Sequence, residues 1–344
     1  MVFDTEYCQK LESSLPKDSN FVALVEDAIA KIQIKPDFTI VHADYEPIMV
    51  SQRYRHYLEQ RSVDERDLYF VTYLQQYLYD IFSGKLKPKS SERSQNLGSK
   101  NENLQNEIVN DTNNWHQTEF FHQLTQCNHS QGYRDAGWLV VRKDEKHCWV
   151  SKDGLTINID PQEYFLESDI ELQVGHTVSI KMPSNLVERG LYIAVGNAGS
   201  TSNLEPVSEY TIWQLYFNVD AETSLVLLDS LTQQLNSIKI PFDFKIPYKE
   251  VDFERSDAPV LEFIEGDRSK VEAIVKDIHS NNAANFKSEV PFFCQRLAVG
   301  LGLSKKPYSI SGINWKNAGL KYCYLIAKII LKINKEVDDT NPKN

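Results

Sequence analysis

From about residue 115 onward the chain presents one short strand-like run after another, and that order constrains the fold more than any other feature of the sequence. GWLVV, CWVS, LTINI and HTVSIKM are separated by polar or glycine-bearing turns, and LYIAVG and YTIWQLYFNV are longer runs of the same kind. Strand following strand, in place of a regular strand–helix alternation, predicts an α+β fold with an antiparallel or mixed sheet flanked by helices. IPFDFKIP and VLEFI add two further strands. Helices are expected over Ala221–Ser237, where Leu225, Leu228, Leu231 and Leu235 fall on one side, over Ser269–Ser280, and over Asn317–Ile333.

The first 84 residues read differently. Apolar residues from Phe21 to Ile32 recur close to a 3.6-residue period, and Leu68, Val71, Leu74, Leu78 and Ile81 mark one face of a helix from about Val63 to Phe82. That second helix also carries Tyr69, Tyr73, Tyr77 and Tyr79, a spacing that suits a packing face with hydrated hydroxyls. Between the helical region and the strands, GKLKPKSSERSQNLGSKNENLQNEIVNDTNN has few residues able to build a core. The expected organisation is an N-terminal helical region 1–84, a polar and disordered linker 85–114, an α+β domain 115–335 and a tail 336–344.

Composition excludes several function classes. A formal net charge of -11 argues against a general nucleic-acid binder, whose surface must neutralise phosphates. No stretch reaches the roughly 18 apolar residues of a membrane helix, and the opening MVFDTEYCQK is no secretory signal. Five scattered cysteines without a CxxC pair predict reduced thiols, no metal site and a cytoplasmic protein. The motifs of P-loop enzymes, zinc proteases, α/β-hydrolases and protein kinases are absent, so no cofactor is expected.

Candidate chemistry gathers in PFDFKIPYKEVDFERSDAPVLEF. Alternation puts Phe242, Phe244 and Ile246 on one strand face and Asp243 and Lys245 on the other, with Lys249, Arg255 and Asp257 close behind. Such a group is either surface charge or a site: a lysine beside other cations can act as a base, and an arginine can grip phosphate bidentately. AVGNAGS, residues 194–200, is either a tight turn or a backbone cradle in which Asn197 faces an anion. Residues 285–335 hold nine lysines and arginines against Glu289 alone, a local basic segment suited to an acidic ligand or partner.

The order and spacing of CNHSQGYRDAGWLVVRKDEKHCWVSKDGLTI, GHTVSIKMPSNLVERGLYIAVGNAG, YFNV, IPFDFKIPY, FERSDAPVLEF and EVPFFCQRLAVGLGLS resemble the HopA-type effector family, over approximately residues 50–335. That family is known from type III secretion effectors of plant pathogens and from cyanobacterial and actinobacterial proteins. Some members stand in biosynthetic clusters for lanthipeptides and thioamide-containing peptides, where they resemble phosphothreonine/phosphoserine lyases working beside a phosphotransferase-like kinase. Effector members are instead bound by plant immune components. The resemblance therefore implies either a metal-independent lyase that eliminates phosphate from a phosphorylated peptide, or a non-catalytic module that binds a protein or phosphopeptide; secretion as an effector would fit the second. On the lyase reading Lys245 is the candidate base and Asp257 orients Arg255. Lys181, Arg255 and Arg296 bind phosphate and Asn197 or Tyr192 donates hydrogen bonds; the general acid is left unassigned, with His122, His129 and His176 available. Lys321–Tyr322 replaces a His-Arg pair that the family commonly shows at the start of its last helix.

Overall fold

In the computed structural model, residues 20–86, 88–89, 118–165, 173–188, 190–201, 211–307 and 316–340 are described. The polar stretch expected as a linker lies almost wholly outside them. The N-terminal residues supply helix α1 (Asn20–Lys31), a two-stranded hairpin of β1 (Ile32–Ile34) and β2 (Ile40–His42), and helices α2 (Gln52–Glu59) and α3 (Val63–Phe82). Helix α3 starts where its sequence says it should. Ser62 accepts from the Glu65 amide while the Glu65 carboxylate accepts from the Ser62 amide, so two orphan donors of the first turn are satisfied.

Helix α4 (Glu119–Cys127) leads into a four-stranded antiparallel sheet of β3 (Tyr133–Lys143), β4 (Cys148–Lys152), β5 (Leu155–Ile159) and β6 (Thr177–Met182), with a helical turn α5 (Pro161–Tyr164) beside it. The main sheet has seven antiparallel strands: β7 (Asn185–Glu188), β8 (Leu191–Val195), β9 (Ile212–Phe217), β10 (Asp243–Pro247), β11 (Val260–Ile264), β12 (Gln295–Ala298) and β13 (Leu301–Lys305). Their order across the sheet is β12-β13-β9-β11-β10-β8-β7. Helices α6 (Ala221–Ser237) and α7 (Arg268–Asn282) follow β9 and β11, and α8 (Ala318–Thr340) closes the described chain, continuing past Ile333, the expected end.

The two faces of the main sheet have opposite characters. On one, Leu215, Phe217, Phe244, Ile246, Leu261 and Phe263 bury against Leu227, Leu228, Leu231 and Leu235 of α6, Val271 and Val275 of α7, and Phe120, Phe121 and Leu124 of α4. The other face is covered in two places. Towards β8, Ile193 and Val195 meet Tyr133 at the root of the four-stranded sheet. Towards β9, Tyr216 joins Phe293 and Cys294 in a cluster with Leu74 and Leu78 of α3 and Cys323, Ile326 and Ile330 of α8. The N-terminal helical region thus shares a core with the last helix.

Two glycines are dictated by contact. At Gly300, φ +62, in the β12–β13 hairpin, a Cβ would stand 2.4 Å from the Lys287 carbonyl oxygen. At Gly319 in α8, a Cβ would stand 2.4 Å from the Phe293 ring and 2.8 Å from Tyr79. AVGLGLS is therefore the last residue of β12, a hairpin turn and the start of β13.

Candidate functional site: a buried polar seam

Between its two covers, the second face of the main sheet carries a transverse row of polar side chains: Asp243 on β10, Glu262 on β11, Gln214 on β9 and Ser304 on β13. Each stands opposite the next in register, and all four are buried. A buried polar row across four adjacent strands is costly unless its members are bonded, so its partners carry the information.

Glu262 is the hub. Lys245 Nζ lies 2.7 Å from its Oε1 and Lys306 Nζ 2.9 Å from its Oε2, one lysine from the row on each side. Gln214 Nε2 also donates to Oε1, at 2.8 Å. Burial by itself would raise the pKa of this carboxyl, but the two lysines outweigh it and bring it down to about 2. The carboxylate is almost wholly enclosed, whereas each lysine side chain keeps 21% of its surface. Both ammonium groups therefore retain donors directed away from Glu262.

From Gln214 the network continues. Its Nε2 also donates to the Lys316 carbonyl at 2.9 Å, and its Oε1 accepts the Tyr216 hydroxyl at 2.8 Å. Asn317, next in sequence, donates from Nδ2 to the Tyr79 hydroxyl oxygen at 2.6 Å, and its Oδ1 caps the Leu320 amide. Tyr79 in turn donates to Asp257 Oδ2. Arg255 meets both oxygens of Asp257, Nε at 2.7 Å and Nη2 at 2.6 Å. Burial works against the guanidinium charge, but the bonds to Asp257 prevail and raise its pKa further. Tyr79 is fully enclosed; burial, then the charge of Asp257, pushes its phenol well up, so it stays a neutral donor. One seam thus links Lys245 and Lys306 at one end with Arg255 at the other.

At the near end, Ser200 Oγ donates to Asp243 Oδ1 at 2.8 Å, and Thr201 bonds the same carboxylate.

Of the site residues expected from sequence, the seam holds Lys245, Arg255 and Asp257. Asp257 has both oxygens engaged, which makes it an anchor for Arg255. The other four are elsewhere. Tyr192 pairs with Ile246, not Lys245, so its ring turns into the apolar core, where its hydroxyl accepts from Asn128 Nδ2 at 3.0 Å. Asn197 sits in the turn after β8: its Oδ1 accepts the Gln131 amide at 2.7 Å and its own amide donates to Asn236 Oδ1 at 2.8 Å. That turn is stitched to α6 and to the loop before β3. Lys181 is exposed on β6, and alternation turns it away from Ile180 and Met182 on the core side of that sheet. Arg296 shares Lys245's transverse row but lies on the edge strand β12, four strand spacings or about 19 Å away, and its Nη2 donates to the Ser288 carbonyl. Of the candidate acids, His129 pairs with Asp229 at 2.8 Å, and His122 and His176 are exposed.

Sequence reasoning missed Glu262, Gln214, Lys306, Tyr79 and Asn317. A usable signal existed: TIWQLYF and VLEFI each place a single polar residue in the middle of an otherwise apolar buried strand. Among the described residues no group of His, Cys, Asp and Glu is placed to hold a metal, Cys127, Cys148, Cys294 and Cys323 are free, and no helix is long and apolar enough to cross a membrane.

Most of the seam falls between β10 and the start of α8, and that part of the chain is where likeness to known proteins concentrates. Residues 182–338 match the HopA1 effector protein family. The HopA1-like segment contains Lys245, Arg255, Asp257, Glu262, Lys306 and Asn317, while Tyr79 reaches the seam from outside it. One solved structure, an effector protein from Pseudomonas syringae pv. tomato strain DC3000, is similar over 77% of this chain and 85% of that one, at 15% identity and a TM-score of 0.38. No curated protein matches the chain.

Proposed function

We propose that this HopA1-like protein binds a peptide carrying phosphoserine or phosphothreonine, with the phosphate received by Lys245 and Lys306. The observation that carries the reading is the fixing of three cations, Lys245, Lys306 and Arg255, by buried carboxylates on one hydrogen-bonded seam. Cations positioned before the ligand arrives need little reordering on binding, and an anion with several acceptor oxygens uses the donors they keep. Arg255, with 31% of its side chain exposed, offers a second point for an acidic group of the same peptide.

A second reading is elimination, and one feature favours it: two lysines share a single carboxylate. On this reading Lys245 acts as base only in its neutral form, its proton having passed to solvent, while Lys306 stays paired with Glu262. Lys245 would take the Cα proton, the electron pair would form the Cα=Cβ bond, and the Cβ–O bond would break to release phosphate, with Lys306 meeting its charge. The ion pair must open for this, so binding is the simpler role.

The test uses a fluorescent phosphothreonine peptide and its unphosphorylated twin with the whole protein. Tighter binding of the phosphorylated form is expected, with at least about a tenfold loss in Lys245→Met and again in Lys306→Met, one charged hydrogen bond each. Equal affinity for the two peptides would overturn the phosphate reading. Mass spectrometry of the same mixtures reads elimination directly as a dehydroamino acid.

A further inference from the structure

Helix α3 turns Tyr79 towards the seam; Leu78, Ile81 and Phe82, on neighbouring positions of the same turns, line a cavity of about 260 Å³ beneath α1 and the β1–β2 hairpin. Its depth is apolar, because Leu78 and Ala28 are buried and Ile81 and Phe82 are half-buried. Two aromatic polar residues, His42 and Tyr45, also line it and meet edge to face at 4.9 Å. At the mouth, Lys31 bridges Asp27 at 2.7 Å and Asp44 at 2.8 Å, the two carboxylates exposed and the lysine half-buried.

The hydrogen-bonding state of this lining is specific. His42 Nδ1 accepts the Asp44 amide at 3.0 Å, which leaves the ring proton on Nε2. Burial, the largest influence on it, lowers the His42 pKa, so the ring is a neutral donor at pH 7. Neither Nε2 of His42 nor the Tyr45 hydroxyl bonds any described residue, although His42 is only 3% exposed. An apolar cavity of about 150 Å³ already admits benzene, so this one has room for a ring with a polar substituent. Asp27 and Asp44 are balanced there by Lys31 and by the neighbouring Lys89, so the mouth is close to neutral and sets no preference for ligand charge.

We infer that the cavity is a binding site for a phenol-sized aromatic ring with a hydroxyl or comparable polar group. The ring packs on Ile81 and Phe82, over the buried Leu78 and Ala28, and its heteroatom meets His42 Nε2–H and the Tyr45 hydroxyl. The site is separate from the seam and independent of any phosphate chemistry there. Such a ring can arrive as a free aromatic amine or as a tyrosine side chain of a peptide, and both carry the same recognition chemistry.

Binding is read by ligand-observed NMR and calorimetry on the full chain, with tyramine, a short tyrosine peptide capped at both ends, and 4-hydroxyphenylacetate as an anionic counterpart. Tyramine is expected to saturate with a Kd on the order of 0.1–1 mM, and the anion within about threefold of it, because the mouth is close to neutral. A peptide tighter than tyramine identifies the source as polypeptide; the reverse identifies a free amine. Ala28→Phe and, separately, Ile81→Trp fill the cavity from two different helices and should each abolish binding. Because one of them could fail to fold, far-UV circular dichroism qualifies each before it is scored. Absence of saturable binding by either tyramine or the peptide, or undiminished binding in a folded cavity-filling variant, overturns the assignment.

Discussion

Replacing Glu262 by Gln removes one charge at the centre of the seam while keeping nearly the same shape, and its effect can be worked out from the structure. The carboxyl ordinarily titrates at 4.5 and is held at about 2 in the folded chain. At about 1.4 kcal/mol per pH unit, that difference corresponds to about 3 kcal/mol of folded-state stability. The size agrees with the roughly 3–5 kcal/mol lost when one partner of a buried ion pair is removed. The sign follows from the depressed value. Glu262 contributes fully above about pH 4.5, and the contribution is lost as pH falls through about 2. Urea unfolding of parent and Glu262→Gln should therefore differ by about 3 kcal/mol at pH 7, and by only about 1 kcal/mol at pH 3, where the parent has lost most of the advantage. Other carboxyl groups titrate in both proteins and cancel in the difference. A variant within about 0.5 kcal/mol of the parent at pH 7, or a gap that stays constant into acid, would refute the account of Glu262 as the anchor of two lysines.

Three further outcomes follow from neighbouring contacts. Tyr79→Phe removes the hydroxyl shared by Asp257 and Asn317 and should cost about 1–3 kcal/mol in urea unfolding, because both buried partners lose a bond. Ser304→Ala should change stability by no more than about 1 kcal/mol, since its buried hydroxyl faces the Tyr216 hydroxyl and the Cys294 thiol without a well-formed hydrogen bond to either; a larger loss in urea unfolding would show that it is firmly engaged. Gly319→Ala drives a methyl group against Phe293 and Tyr79 and should destabilise by about 1–3 kcal/mol despite the better helix propensity of alanine.

Much of this architecture was legible in the sequence, for identifiable reasons. Strands such as IWQLYF are nearly continuous apolar runs, helices such as α3 and α6 have strong periodicity, and the Ser62–Glu65 capping box fixes where α3 begins. The order of strands implied an antiparallel or mixed sheet, and every pair in the main sheet is antiparallel. The site was only partly legible. Alternation in FDFKI put Lys245 and Asp243 on one face, which is a local property of one strand. Which carboxylate Lys245 would meet depends on the register of β10 against β11, and no residue of β10 encodes that register by itself. Tyr79 was read as one of four tyrosines on a packing face. Its different role depends on the docking of α8, where Gly319 and Asn317 approach it from more than two hundred residues away.

The stretch recognisable as HopA1-like begins inside β6 and ends within α8, yet neither of its apolar surfaces is sealed by its own residues. Helix α4 supplies Phe120, Phe121 and Leu124 to one, and α3 lays Leu74 and Leu78 against the other. Family likeness and foldable unit therefore have different borders in this protein. A polypeptide trimmed to the recognisable stretch would leave oily surfaces facing water, and inactivity or precipitation of that piece would say nothing about what the intact chain does.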